Sequence, residues 1–126
     1  MREKKILVAD DEPYILRSIK LVLEEEGYQI FTAEDGEATL GLALAEALDL
    51  IILDIKMPKI SGQEVHRRLR ENKKTKDLPV IILTAIGQEI PQREGWKLDG
   101  VDYVTKPFSP YAIVEKVNRI LENEES

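Results

Sequence analysis

The strongest constraint on the fold is an unbroken apolar run, residues 50–53, which is closed by Asp54. A run without polar alternation is typical of a strand buried on both faces, as in the interior of a parallel sheet. Asp54 taken alone is equally compatible with a turn before Met57 and Pro58. Three further apolar runs also end in polar residues: 5–9 in Asp10 and Asp11, 80–83 in Thr84, and 101–105 in Lys106. Because the carboxyl ends of parallel strands lie at one edge of a sheet, the sequence predicts that these polar groups meet there.

Helical patterns alternate with these runs in the first half of the chain. Pro13 suits the first position of a helix, and the apolar residues that follow recur at helical spacing until Gly27. Residues 29–33 then form a predicted second strand. Residues 36–48, rich in alanine and leucine, predict a helix that leads into the strand closed by Asp54.

The second half continues the alternation. Ser61 and Glu64 match a capping box, so we expect a third helix to begin there, and Ser109 marks the start of the last helix. Pro91 interrupts residues 87–100, so any helix in that segment is short or begins near the proline. Five strands that alternate with five helices predict an α/β fold, a three-layer α/β/α sandwich around a parallel sheet with right-handed crossovers.

Length and charge narrow the class of protein. At 126 residues the chain is expected to form one domain, residues 1–126 with a core of about 5–123. The formal net charge of −6 argues against direct nucleic-acid binding. The first apolar run is too short for a signal peptide and no run approaches the length of a membrane span, so we expect a cytoplasmic protein.

The polar strand ends taken together resemble those of response-regulator receiver domains, the chemotaxis-receiver-like domains of two-component signalling. The resemblance extends from Lys5 to about Asn123 and rests on four motifs: Asp10-Asp11, Asp54 with Met57-Pro58, Thr84-Ala85, and Lys106-Pro107-Phe108. It implies a flavodoxin-like (βα)5 fold with five parallel strands in the order 2-1-3-4-5.

The same resemblance implies a role for each polar residue. Asp54 would accept a phosphoryl group from a phosphohistidine on a sensor histidine kinase or histidine phosphotransfer protein. The residues that would hold Mg²⁺ are Asp10, Asp11, Asp54 and the main-chain carbonyl of Lys56. Thr84 and Lys106 would bind the phosphoryl oxygens. The chemistry is consistent with these residue types, since crowded carboxylates repel unless a cation is present, Mg²⁺ prefers oxygen ligands, and an aspartate can attack phosphorus.

Two further roles follow from family position alone. Thr84 and Tyr103 match the switch residues that change position on phosphorylation, although strand alternation would equally explain Tyr103 as a packing residue. Lys56 and Ile86 match positions that tune phosphoryl lifetime, and neither side chain can orient an attacking water well. The expected output is binding to a downstream protein target, as a monomer or a phosphorylation-dependent dimer.

Three other functions compete with the receiver interpretation. A Mg²⁺-dependent aspartyl-phosphate phosphatase of the haloacid dehalogenase type would need an Asp where Lys56 stands. A flavin mononucleotide carrier would not place Asp10, Asp11 and Glu12 beside a phosphate. A degenerate receiver would bind partners without phosphorylation, which the complete motif set disfavours. We therefore expect a signalling domain and not an enzyme, and we expect the lone His66 to be solvated.

Overall fold

The computed structural model describes residues 3–85 and 101–125, with backbone only for residues 85 and 123–125. The predicted helix within residues 87–100 and the side chain of Ile86 lie outside these ranges. The strands are β1 (Lys5–Ala9), β2 (Gln29–Ala33), β3 (Leu50–Asp54), β4 (Val80–Ala85) and β5 (Val101–Lys106). The helices in the described ranges are α1 (Pro13–Glu25), α2 (Gly36–Ala45), α3 (Gly62–Glu71) and α4 (Pro110–Glu125).

The five strands form one parallel sheet in the order β2-β1-β3-β4-β5. This confirms the predicted α/β class and strand order. The order reverses between β1 and β3, which is where a crevice opens at the carboxyl edge of a doubly wound sheet. Ala9 pairs with Leu53 in register, so Asp10 and Asp54 leave the sheet side by side.

Apolar residues on the two faces of the sheet build two separate cores. In β3, Leu50 and Ile52 belong to the core that contains α1 and α4, whereas Ile51 and Leu53 belong to the core that contains α2 and α3. All four side chains are fully buried. Burying an aliphatic side chain stabilises a fold by about 1.5–3 kcal/mol, so this two-sided strand anchors the whole sheet.

Helix starts differ in how their backbone N–H groups are satisfied. The Ser61 hydroxyl accepts from the Glu64 N–H at 3.2 Å, which confirms the predicted cap of α3. Asp35 caps α2 in the same way through the Ala38 N–H at 2.8 Å. Glu12 at the start of α1 makes no side-chain cap. Its carboxylate is therefore available for other contacts.

Two details of the sequence interpretation were wrong. Helix α2 ends at Ala45 and not near Leu48, because the chain turns to extended backbone at Glu46. His66 is buried on α3 beside the core, with 1% of its surface exposed, and is not solvated. Burial lowers the pKa of His66 to about 4, and the positive charge of Arg70 adds to this effect. Over the described ranges, no helix combines the length and apolarity needed to cross a membrane.

Candidate functional site

Three strand ends bring charged side chains together at the carboxyl edge of the sheet. Asp10 is fully buried, and Asp54 is 5% exposed. The ammonium nitrogen of Lys106 lies 2.8 Å from Asp10 Oδ2 and 3.5 Å from Asp54 Oδ2. One cation therefore bridges the two carboxylates, as the convergence of the strand ends predicts.

Backbone N–H groups fix the orientation of both carboxylates. The Glu12 N–H donates to Asp10 Oδ1 at 2.9 Å, and the Lys56 N–H lies 3.4 Å from Asp54 Oδ1. In each pair one carboxylate oxygen is held by the backbone, while the other faces Lys106. The direction of the Lys56 carbonyl, named above as a metal ligand, stays a prediction.

Glu12 is a member of the site that the sequence interpretation did not include. Its Oε1 lies 3.3 Å from the Lys106 ammonium. The carboxylates of Asp10, Asp11 and Glu12 offer oxygens within 4.8 Å of one another, the arrangement of a possible metal site. The sequence signal that could have identified Glu12 is its position directly after Asp10 and Asp11. A side chain at the start of α1 lies close to the end of β1, where Asp10 is.

The residues present fit a hard divalent cation. Asp10 Oδ2 is buried and has no hydrogen bond of acceptable geometry among the described residues, although Lys106 lies close enough to pair with it. A buried carboxylate oxygen of this kind is stabilised by a cation. Carboxylate oxygens are the ligands that Mg²⁺ prefers.

Opposing charges and burial shift the ionisation of the site. Burial raises the pKa of Asp54 from 3.8 to about 6, and the charge of Asp10 adds to this, while Lys106 and the Lys56 N–H act in the opposite direction. Burial also works to lower the pKa of Lys106. The close contact with the Asp10 carboxylate and the charges of Asp10 and Asp54 outweigh it, so that this pKa is raised overall.

Close backbone packing holds the segment that follows Asp54. A Cβ atom on Gly62 would lie 2.0 Å from the Asp54 carbonyl oxygen, and the Gly62 N–H donates to the Ile55 carbonyl at 2.8 Å. On the other side, a Cβ atom on Gly36 would lie 2.1 Å from the carbonyl oxygen of Ile60. The starts of α2 and α3 therefore pack tightly against residues 54–60, the segment that contains Asp54 and Lys56.

Comparison with known proteins agrees with this geometry. The sequence model of the response regulator receiver domain matches residues 6–118. The chain belongs to the response regulator receiver domain family.

Relatives of this receiver domain are regulators of transcription. It is 43% identical over 122 residues to the alkaline phosphatase synthesis transcriptional regulatory protein PhoP of Bacillus subtilis, covering 97% of this chain and 50% of that protein. It is 44% identical over 119 residues to the transcriptional regulatory protein ResD of the same organism, covering 94% and 48%. The chain thus spans about half the length of these relatives.

Solved structures share the fold. A CheY-like receiver domain protein from Methanospirillum hungatei superposes with a TM-score of 0.85 at 30% identity, covering 98% of both chains. The receiver domain of Francisella response regulator 1452 gives a TM-score of 0.83 at 36% identity, covering 97% of this chain and 99% of that one.

Thr84 and Tyr103 occupy the receiver domain's fourth and fifth strands. Thr84 is buried at the end of β4 and pairs in register with Thr105. The Tyr103 ring packs against the α2–α3 core, which fits the packing interpretation, and burial raises its pKa. Its hydroxyl is buried and has no hydrogen bond within the described ranges. A switching role for either residue stays a prediction.

A groove of about 500 Å³ opens beside the charged cluster of the receiver domain. It is lined by Glu12, Tyr14, Ile15, Ser18, Lys106, Pro107, Phe108 and Pro110. Ile15 and Ile19 of α1 are buried in the core. Tyr14, which is 64% exposed, is the large side chain that α1 presents beside the site.

We expect metal-free Asp54→Asn to be more stable than the wild-type receiver domain above pH 7. Since the folded pKa of Asp54 is raised, its ionisation destabilises the fold, and this effect disappears as the pH falls through about 6 towards 3.8. The advantage of the variant should be on the order of 1–2 kcal/mol at pH 8 and shrink by pH 5. Urea unfolding in EDTA at both pH values measures it.

The quantity to measure is the difference in unfolding free energy between Asp54→Asn and the wild type. His66 contributes a pH dependence of stability that is opposite to that of Asp54 in the same pH range. Its folded pKa is lowered, so its contribution to stability is lost as the pH falls. His66 is present in both proteins, and its contribution cancels in the difference. An advantage that is the same at pH 5 and pH 8 would contradict the raised pKa of Asp54.

Proposed function

We propose that this receiver domain accepts a phosphoryl group on Asp54 from a histidine kinase or a histidine phosphotransfer protein. The observation that carries the proposal is the position of the Lys106 ammonium, 3.5 Å from one oxygen of a nearly buried Asp54. A carboxylate with a neutralising cation beside it suits a reaction in which charge on a phosphoryl group must be stabilised.

In the proposed step, an Asp54 oxygen attacks phosphorus, and the bond from phosphorus to the donor's imidazole nitrogen breaks. The electron pair of that bond stays on the imidazole, and the product is an acyl phosphate on Asp54. The Lys56 N–H, 3.4 Å from Asp54 Oδ1, helps to orient the nucleophile. Lys106 is close enough to pair with the transferred group after a small movement, and Thr84 would bind another of its oxygens.

The residues that would hold Mg²⁺ are Asp10, Asp11, Asp54 and the carbonyl of Lys56. When bound, the ion would supply further charge neutralisation at the phosphoryl oxygens. The acidic cluster and the buried Asp10 oxygen support a cation here.

The output would be a change in the surface that binds a downstream protein. In this proposal Thr84 moves towards the phosphoryl group, Tyr103 repacks, and the population shifts between two existing conformations. Since the relatives are transcriptional regulators of twice this length, we propose a cytoplasmic output to a transcription-regulating domain. Lys56 and Ile86 would favour a long-lived phosphoryl state, because neither orients an attacking water.

The function is tested by intact mass after incubation with Mg²⁺ and acetyl phosphate. We expect one added phosphoryl group on the wild type and none on Asp54→Asn or in EDTA. Glu71→Gln, on the exposed end of α3, is the control and should be phosphorylated normally. Addition to Asp54→Asn, or no addition to the wild type from either acetyl phosphate or a phosphorylated histidine kinase, would contradict the proposal.

The same sample separates the receiver from a phosphatase. A receiver accumulates the modified protein while the donor lasts and then loses the group slowly. A phosphatase of the haloacid dehalogenase type would release inorganic phosphate continuously. The position of Lys56, where that class needs a second Asp, favours accumulation.

A further inference from the structure

Glu12 stands at the junction between the charged cluster and the groove. Its Oε1 lies 3.3 Å from the Lys106 ammonium, and the nearby Glu12 carboxylate raises the pKa of the Tyr14 hydroxyl. Both Glu12 and Tyr14 line the groove beside Lys106. One carboxylate thus lies beside both a partly buried cation and an exposed aromatic residue.

The local structure leaves the Glu12 side chain free for this contact. Glu12 is the N-cap residue of α1, yet it makes no side-chain cap. Its backbone is fixed, because its N–H donates to Asp10 Oδ1 and Pro13 follows at the first helical position. A residue that is rigid in its backbone and makes no cap can direct its carboxylate at Lys106.

Three carboxylates lie at different distances from the Lys106 ammonium. Asp10 at 2.8 Å is the nearest carboxylate, Glu12 at 3.3 Å is second, and Asp54 at 3.5 Å is third. The ammonium is therefore drawn towards β1 and α1 as well as towards the phosphoacceptor. If a phosphoryl group were added to Asp54, it would have to compete with Glu12 for the same ammonium.

We propose that Glu12 is a positioning residue that restrains the Lys106 ammonium in the unphosphorylated receiver, opposes its movement towards a phosphoryl group on Asp54, and thereby slows phosphorylation. The proposal rests on the function proposed above. In the test reaction, acetyl phosphate replaces the phosphohistidine as donor: it gives its phosphoryl group to Asp54 and leaves as acetate. Glu12 affects the rate by restraining the cation that neutralises the transferred group.

The expected result is a faster reaction when the Glu12 carboxylate is removed. Glu12→Gln should raise the rate at saturating acetyl phosphate and Mg²⁺ by about two- to five-fold, the size expected for a half-exposed ion pair. Glu25→Gln removes the same charge from the exposed end of α1 and should change nothing. The measurement is the time course of modified protein by intact mass.

Glu12→Asp separates contact from general charge. The shorter side chain keeps the negative charge but draws it back from Lys106, so this variant should react like Glu12→Gln. If Glu12→Asp reacts like the wild type, simple repulsion of the anionic donor explains the effect and the proposal fails. The proposal also fails if Glu12→Gln lowers the concentration of acetyl phosphate needed for half-saturation and leaves the maximal rate unchanged.

A second readout does not depend on phosphorylation. The side-chain ¹⁵N resonance of Lys106 should shift in metal-free Glu12→Gln and stay in place in Glu25→Gln. An unmoved resonance overturns the proposed contact even if the wild type is phosphorylated. If the wild type takes up no phosphoryl group, the proposed function and the rate effect both fail, while the resonance still decides whether Glu12 holds Lys106. Weaker Mg²⁺ binding by Glu12→Gln would instead make Glu12 a metal ligand and contradict a positioning role.

Discussion

Gly62→Ala should destabilise the protein by about 2–3 kcal/mol, because the new methyl group has no space. The Cβ atom would lie 2.0 Å from the Asp54 carbonyl oxygen and 2.8 Å from the Ile55 Cα, and both neighbours are backbone. Since backbone atoms cannot rotate away, the start of α3 must separate from the end of β3. The movement would also break the 2.8 Å hydrogen bond from Gly62 to Ile55. Urea unfolding at pH 7 measures the change.

Gly41→Ala is the matched control within the same chain. Gly41 is an exposed residue of α2, and a Cβ atom there would meet nothing within 4 Å. Alanine is favoured over glycine inside a helix by roughly 0.5–1 kcal/mol, so this variant should be more stable than the wild type. Opposite signs for the two glycine-to-alanine changes would isolate the effect of the space between Gly62 and Asp54. Equal effects would contradict the close packing of Gly62 against Asp54.

Gly62→Ala should also lower the rate of phosphorylation by acetyl phosphate under conditions where the variant is still folded. Displacing the Asp54 backbone moves its carboxylate relative to Lys106, and small errors in position have large effects on group transfer. Gly41→Ala should react at the wild-type rate. A folded Gly62→Ala variant that reacts normally would show that the close packing of Gly62 against Asp54 contributes to stability alone.

The strands and the site edge were predictable because their signals are local. A two-sided apolar run such as residues 50–53 needs no knowledge of its neighbours to be identified, and parallel pairing then fixes where Asp54 points. Asp10 and Lys106 follow by the same argument. Each lies one position beyond or at the end of a strand, so the sheet register places them.

The contacts that were missed depend on three-dimensional packing. Glu12 was not among the predicted site residues, because the sequence alone does not show that its carboxylate turns towards Lys106. The tight space around Gly62 is set by the distance between α3 and β3. His66 was expected to be solvated because it is the only histidine and has no second metal ligand one helical turn away, yet it lies on the inner face of α3. Such features are properties of packing between elements, which a single element's pattern does not encode.

Lys106→Met should lower the stability of the metal-free protein at pH 7 by about 3 kcal/mol. Removing one partner of a buried ion pair leaves an uncompensated charge, and such changes typically destabilise by about 3–5 kcal/mol. The side chain of Asp10 is fully buried and that of Asp54 is 8% exposed, so neither carboxylate can recover full hydration. Part of the loss is offset because Asp54, with a pKa already near 6, can take up a proton.

The control for Lys106→Met is Lys116→Met, which removes a lysine from a more exposed pair. Lys116 lies 3.7 Å from Asp102, and the two side chains are 27% and 49% exposed. An exposed pair of this kind contributes about 0–1 kcal/mol, so the control should be nearly neutral. Similar losses for both variants would mean that the site lysine is no more than a surface cation.

Acid and Mg²⁺ should each restore part of the stability of Lys106→Met, because both reduce the repulsion between the site carboxylates. Without the ammonium, the pKa of Asp54 rises further, so protonation stabilises the folded variant as the pH falls from 7 to 5. A divalent cation bound by the acidic cluster would neutralise the same carboxylates at pH 7. The double variant Lys106→Met with Asp54→Asn should recover stability without either treatment, because it removes one of the two repelling charges. If neither acid, nor Mg²⁺, nor the second substitution restores stability, the stability was lost because the methylene groups of Lys106 no longer pack. Lys106 would then not stabilise the protein by neutralising the carboxylates at this edge of the sheet.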